Sequence, residues 1–172
     1  MNMKKIYFLI LAVAALSFTS CGILAEAEQA DLEMAKELVA NALNHQELAI
    51  EVDQILPQRG PAIHSTDGYT LTIKDGVVDG FLPFFGESYT SIVYGVDETG
   101  LKFDKCPIVI DDSQSRPSKG KYVWRFAARV GMEKVYVTVT FFENGSADIM
   151  CNPTNRSIMN YNGDLVVIKE KK

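Results

Sequence analysis

The chain has 172 residues, 47% of them hydrophobic, and a formal net charge of −5 at neutral pH. That length suits one domain with a normal core. The acidic balance argues against nucleic acid, and against electrostatic attraction to anionic lipid. Two histidines and three cysteines leave few groups for metal or nucleophilic chemistry, and no cofactor is expected.

The chain opens like an export signal. Lys4 and Lys5 precede an apolar stretch from Ile6 to Phe18, which is too short for a comfortable membrane span. Thr19-Ser20-Cys21-Gly22 then resembles a bacterial lipobox, in which the cysteine is lipidated and becomes the mature N-terminus. Phe18 stands where leucine is commonest. A competing cleavage site of the A-x-A kind lies at Ala25-Glu26-Ala27. Both routes export the protein. The expected organisation is a signal over residues 1–20, a tether over 21–27 and one helix-plus-β domain over 28–172. Cleavage before Cys21 removes two lysines and no acid, leaving a net charge of −7. Contact with a membrane would then come from the lipid at Cys21, with the domain facing the periplasm or the cell surface. A soluble periplasmic protein is the alternative.

From Glu28 to about Asn44 the residues are strong helix formers. Leu32, Ala35, Val39, Ala42 and Leu43 fall on one stripe, which predicts an amphipathic helix packed on a sheet. After Gln46 the period drops from 3.6 to 2. Leu48, Ile50 and Val52 alternate with Ala49, Glu51 and Asp53, and Tyr69, Leu71 and Ile73 alternate with threonines. Asp75-Gly76 and Asn144-Gly145 are two-residue hairpin signals, and Asn162-Gly163 reads as a third. Strands are expected at Ser91 to Gly95 and Leu101 to Asp104. Tyr122, Trp124, Phe126, Ala128 and Val130 share one face, and Val135, Val137, Val139 and Phe141 repeat the pattern. Many short strands with turn signals predict an antiparallel barrel or a two-sheet sandwich. No βαβ unit or phosphate loop is present.

One stretch interrupts this alternation: Gly80-Phe81-Leu82-Pro83-Phe84-Phe85-Gly86. Pro83 lacks an N–H and has a fixed φ, so a central strand cannot continue through it. The stretch reads as a corner. Its four apolar side chains form either a plug over one end of the core or an aromatic lip beside a ligand cavity.

Candidate chemistry is sparse. His45 stands where it can cap the helix. His64 and Asp67 could pair as a general base, but no nucleophile motif accompanies them. Asp111-Asp112-Ser113 lacks the spaced acids of a calcium loop and reads as a turn. Arg156 follows the turn-rich Asn152-Pro153-Thr154-Asn155. Its guanidinium serves either as a brace on loop carbonyls or a carboxylate, or as an anion site at a barrel mouth. Cys106 and Cys151 are either a disulfide of an oxidising compartment or two separately buried thiols. Without nearby histidine they make no zinc site.

Leu82-Pro83-Phe84-Phe85-Gly86, followed by Asn155-Arg156-Ser157-Ile158 and Tyr161-Asn162-Gly163, resembles the exported bacterial proteins of domain-of-unknown-function family 4251 (DUF4251). The resemblance spans roughly residues 30 to 168. It implies an exported protein or lipoprotein of Gram-negative bacteria, and a helix before a small antiparallel barrel-like sheet of lipocalin-type topology. No activity comes with it.

The expected function is a non-enzymatic cell-envelope domain that binds a small ligand or serves as an accessory. Phe84, Phe85, Arg156 and Tyr161 are its candidate ligand-binding residues, and a small molecule or an envelope protein is its partner. A structural or interaction module with a filled core is the alternative, and a hydrolase using His64 and Asp67 comes third. Pro83 and Phe84 are further expected to meet Arg156 and Tyr161 at one end of the sheet. As for the anchor, a fatty-acid label fed to cells should mark the wild-type chain and not Cys21→Ser. Equal labelling, or none in either, would remove the lipid from this picture.

Overall fold

The computed structural model describes residues 20–87, 89 and 100–168, with residues 20–28 by their backbone alone. Residues 1–19 of the stretch read as an export signal, and the strand expected at Ser91 to Gly95, lie outside the described residues. The chain divides into two compact units, residues 1–34 and 35–172, with the boundary inside a helix. No described helix is long and apolar enough to cross a membrane.

That helix, α1, runs Ser20–His45. It starts earlier than the sequence pattern predicts and includes the residues read as a tether, where Ala, Leu and Glu continue the helix-forming composition. Its end is built as expected. Gln46 takes a left-handed φ of 56° and donates its N–H to the Ala42 carbonyl at 2.9 Å. His45 Nδ1 lies 3.3 Å from the Asn41 carbonyl oxygen. Ala35, Val39 and Ala42 are buried, but Leu32 and Leu43 are exposed, so the buried stripe is narrower than predicted.

The rest is one antiparallel sheet. Its strands are β1 (Leu48–Pro57), β2 (Ile63–His64), β3 (Thr70–Lys74), β4 (Val77–Pro83), β5 (Gly100–Pro107), β6 (Lys121–Val130), β7 (Glu133–Phe142), β8 (Ser146–Pro153) and β9 (Met159–Val166). Their order is β5-β4-β3-β1-β9-β8-β7-β6, with the short β2 paired to β1. This is an up-and-down meander nearly closed into a barrel, and a single continuous sheet excludes the sandwich alternative. The closing ladder is β1 on β9, from Ala49 opposite Val166 to Pro57 opposite Met159.

Local chemistry sets the turns. Asp75 and Gly76, with φ of 53° and 72°, make the β3–β4 hairpin, and Gly145, with φ of 85°, makes the β7–β8 hairpin. Asn162-Gly163 is not a turn. It lies within β9, opposite a bulge at Asp53 of β1. A Cβ on Gly163 would run into the Glu51 carbonyl oxygen, so glycine here permits close backbone approach.

The seam between β5 and β6 is the incomplete part of the barrel. There the Cys106 thiol donates to the Arg129 carbonyl at 3.1 Å. Beyond it the chain doubles back along the outer edge of β6. Asp111 exchanges two backbone hydrogen bonds with Arg125, each 2.8 Å. Ser115 Oγ accepts from the Val123 N–H at 2.9 Å and lies 3.2 Å from its carbonyl, to which it donates. This edge is therefore paired rather than open. The expected Asp111 turn forms as well, with the Ser113 N–H on Asp111 Oδ1 at 3.0 Å. Hydrogen bonding from Ser113, by its side chain first and its backbone N–H second, holds the Asp111 carboxyl below its usual range.

The inward faces of all the long strands form one apolar cluster, which includes Phe103, Trp124, Phe126, Phe141, Ile149 and Met159. Trp124 meets Phe141 edge-on, with ring centroids 5.1 Å apart. Val39 and Ala42 of α1 join the same cluster, and Ala35 lies where a Cβ on Gly145 would touch it. Residues 35–45 of α1 therefore pack at the end of the barrel that holds the β7–β8 hairpin. Trp124→Ala should cost about 3–5 kcal/mol in urea melts. A loss below about 1 kcal/mol would mean that this ring does not fill the core.

Candidate functional site

The opposite end of the barrel is where the two sequence motifs meet. β4 ends at Pro83, which pairs with Gly100 at the last rung of the β4–β5 ladder. The Tyr161 hydroxyl donates to the Pro83 carbonyl at 2.9 Å. Leu82 and Phe84 turn inward and are buried, whereas Phe85 is 53% exposed and takes no part in the plug. The loops are laced together beyond this point. The Ser157 N–H donates to the Glu87 carbonyl and the Glu87 N–H to Ser157 Oγ, each at 2.9 Å. The Tyr89 N–H donates to the Asn155 carbonyl at 2.9 Å. Gly86 passes so close that a Cβ there would strike Ser157 Oγ and the Phe84 ring.

Arg156 sits inside this lacing and is only 4% exposed. Its Nε donates to Glu133 Oε2 at 2.9 Å, and the Asn155 N–H donates to Glu133 Oε1 at 2.7 Å. Its guanidinium also lies 4.7 Å from the centroid of the Phe84 ring. Glu133 is the first residue of β7 and is 1% exposed. Phe84, Arg156 and Tyr161 thus come together, closed under a lid. Arg156 Nη2 is buried and has no hydrogen-bond partner. The arrangement answers most directly to the brace reading of Arg156, because both carboxylate oxygens are bonded and the guanidinium is shielded from solvent.

The remaining candidates lie apart. Cys106 and Cys151 are free thiols, each buried, so the disulfide left open by the sequence is not formed. Cys106 is committed to the β5–β6 seam. Cys151 sits between Val137 and Met159 in the middle of the sheet, and burial pushes its thiol far up, away from any nucleophilic role. Burial likewise raises the Tyr161 phenol well above its usual range, so it stays a donor. His64 makes no hydrogen bond with Asp67 among the described residues. Asp67 accepts instead from the Tyr69 hydroxyl at 3.0 Å, which raises the Tyr69 phenol. No trio of potential metal ligands occurs among the described residues.

A second feature lies on the outside of the barrel. The outward faces of β1, β3, β4 and β5 border a groove of about 940 Å³, bounded on one side by Val166, Val167 and Ile168. Small residues make its floor: Ala49 and Thr72 stand opposite each other on β1 and β3, and Thr72 faces Asp79 on β4. Gly80 adds no side chain, since a Cβ would strike the Thr70 carbonyl oxygen. At one end Tyr69 and Phe81 form a tilted aromatic pair with centroids 5.8 Å apart. Lys102 stands directly opposite Phe81, and the Phe81 ring lies across Gly100, where any Cβ would collide with it. Alternation of strand faces could have located Phe81 here, because it is the outward neighbour of Leu82.

The fold and these two features define a small antiparallel meander barrel, closed at one end by a helix and at the other by a buried ion pair. The chain belongs to the DUF4251 family, a domain of unknown function, whose sequence model matches residues 30–165. It is similar in fold to a DUF4251 family protein from Bacteroides eggerthii DSM 20697, known from a crystal structure. The two share 17% sequence identity and superpose with a TM-score of 0.60, over 81% of this chain and 91% of that one. No curated protein matches the sequence.

The buried pair sets a stability test. Arg156→Met should cost about 3–5 kcal/mol, because it leaves Glu133 as an uncompensated buried charge. The double variant Glu133→Met/Arg156→Met should cost less than the two single changes added together. Additive losses, or a single loss below about 1 kcal/mol, would show that the pair does not hold this end of the barrel.

Proposed function

We propose that this protein is a non-enzymatic accessory domain of the cell envelope, lipid-anchored through Cys21, which binds a small ligand in the groove on its outer face. One observation carries this reading: the inward side chains of the described strands form one apolar cluster with both ends of the barrel covered, while a groove of about 940 Å³ lies on the outside. Barrels of this strand number are often just wide enough for their own side chains. The supply of aromatic, hydroxyl and charged groups around a floor of small residues is what ligand sites use for affinity and orientation. The lipobox-like Thr19-Ser20-Cys21-Gly22 supports the anchor. Phe84, Arg156 and Tyr161 then support the scaffold rather than the ligand.

The same filled interior also favours a second reading, a module that acts through its surface on another envelope protein. Tyr136 and Met150 are half-exposed on the outward faces of β7 and β8 and would serve it.

Thr72→Trp separates the two readings. Thr72 is half-buried at the centre of the groove floor, and a surface change of this kind should move stability by no more than about 0.5 kcal/mol. Mass spectrometry of small molecules that co-purify from the native source should find a compound with the wild type and not with Thr72→Trp. The same compounds with both proteins, or none with either, would favour the surface module.

A further inference from the structure

The polar groups around the groove carry both signs. Its lysines are Lys74, Lys102 and Lys105, and its carboxylates are Glu51, Asp75, Asp79 and Asp104. They alternate across the sheet rather than segregating. Strand register sets Glu51 opposite Thr70 and Phe81 opposite Lys102. One row runs Ala49, Thr72 and Asp79, and ends at the Asp104–Lys105 bulge in β5. An anionic ligand would meet the carboxylates, and a cationic one the lysines. A lipid tail would lie across charges on every side. An added peptide strand needs a free sheet edge; across the groove floor β1, β3 and β4 are paired on both sides, and β5 alone of its strands ends the sheet.

The aromatic pair narrows the choice further. Phe81 is half-buried and fixed from two directions, by Gly100 beneath its ring and by Tyr69 at its side. The Tyr69 ring is oriented in turn by its hydroxyl bond to Asp67 Oδ2. The result is an ordered apolar platform with an ammonium group on one flank and a carboxylate across the floor. A ligand matched to it has an apolar face to stack and a rim of hydroxyls that both donate and accept.

Resting on the groove reading above, we infer that the groove takes a neutral saccharide, with one sugar ring stacked on Phe81 and Tyr69 and its hydroxyls bonded to Lys102, Glu51 and Thr72. A pyranose ring has that chemistry: C–H groups on one face and a rim of hydroxyls that pair with ammonium and carboxylate groups alike. The groove's size accommodates several rings in line, since ligand pockets of about 300–1,000 Å³ hold drug-sized molecules.

The test uses the full-length protein in detergent on an array of neutral and acidic oligosaccharides, which includes glucose, mannose, galactose and N-acetylglucosamine oligomers. The strongest binder is then followed by calorimetry. A neutral saccharide should be retained. Its affinity should fall at least about tenfold, the equivalent of one lost contact, in Phe81→Ala and in Lys102→Met. It should be abolished in Thr72→Trp and be unchanged in Tyr136→Ala on the far side of the barrel. Circular dichroism of each variant reports folding, and Lys102→Met carries the test should Phe81→Ala fail to fold. No retained saccharide, retention of acidic saccharides alone, or equal binding by the groove variants would overturn the inference. A non-saccharide compound that co-purifies with the wild type and not with Thr72→Trp would also overturn it, while leaving the groove itself as a binding site.

Discussion

A carboxylate at the start of β7 holds one end of this barrel together. Glu133 accepts from the Asn155 N–H and from Arg156, and so ties the β6–β7 hairpin to the β8–β9 loop. Arg156 carries the tie onward by lying over Phe84, and Ser157 extends it by exchanging bonds with Glu87. Three connections that are distant in sequence therefore depend on one buried charge pair. Burying charges costs several kcal/mol per ion before their attraction is counted, so the pair is better understood as fixing which loops meet than as a net source of stability. Once these loops are fixed, Phe84 has a single place to go, and the core below it is sealed.

Much of this was readable from residue order. The period-2 runs gave the faces of β6, β7 and β8 correctly, because one face of each is buried and a slip of one residue would turn every side chain outward. Pro83 located the end of β4, because its missing N–H forbids continuation between two partners. The meeting of Phe84 with Arg156 and Tyr161 followed from turn residues at strand ends and from side chains that pair an apolar body with a polar tip.

The misses have physical causes too. Asn162-Gly163 has the composition of a hairpin, but the glycine serves close approach to β1 at a bulge, and a bulge leaves no mark in one strand's own sequence. Glu133 is a site residue that no motif marks. Yet the alternation of Val135, Val137 and Val139, extended back by one step, puts it on the inward face, where a carboxylate demands a partner. Phe85 was grouped with its neighbour by composition, whereas the backbone turns it to solvent after the strand ends. The outer groove was invisible, since it depends on how four strands twist past one another and on which side chains are small.

The pairing of β1 with β9 has a bearing on how the chain reaches this fold. Ala49 lies opposite Val166, so the first long strand finds one of its three partners at the far end of the chain. Closing such a loop carries an entropic cost that grows with the logarithm of its length, and non-local pairing slows folding. β6, β7 and β8 can zip locally through tight hairpins, but the barrel stays open until the last strand arrives. A chain threaded through a narrow channel from its N-terminus would therefore emerge with β1 one-sided, and would complete its wall only after residue 166 had cleared the exit. The same topology that slows folding would keep any such chain threadable until then.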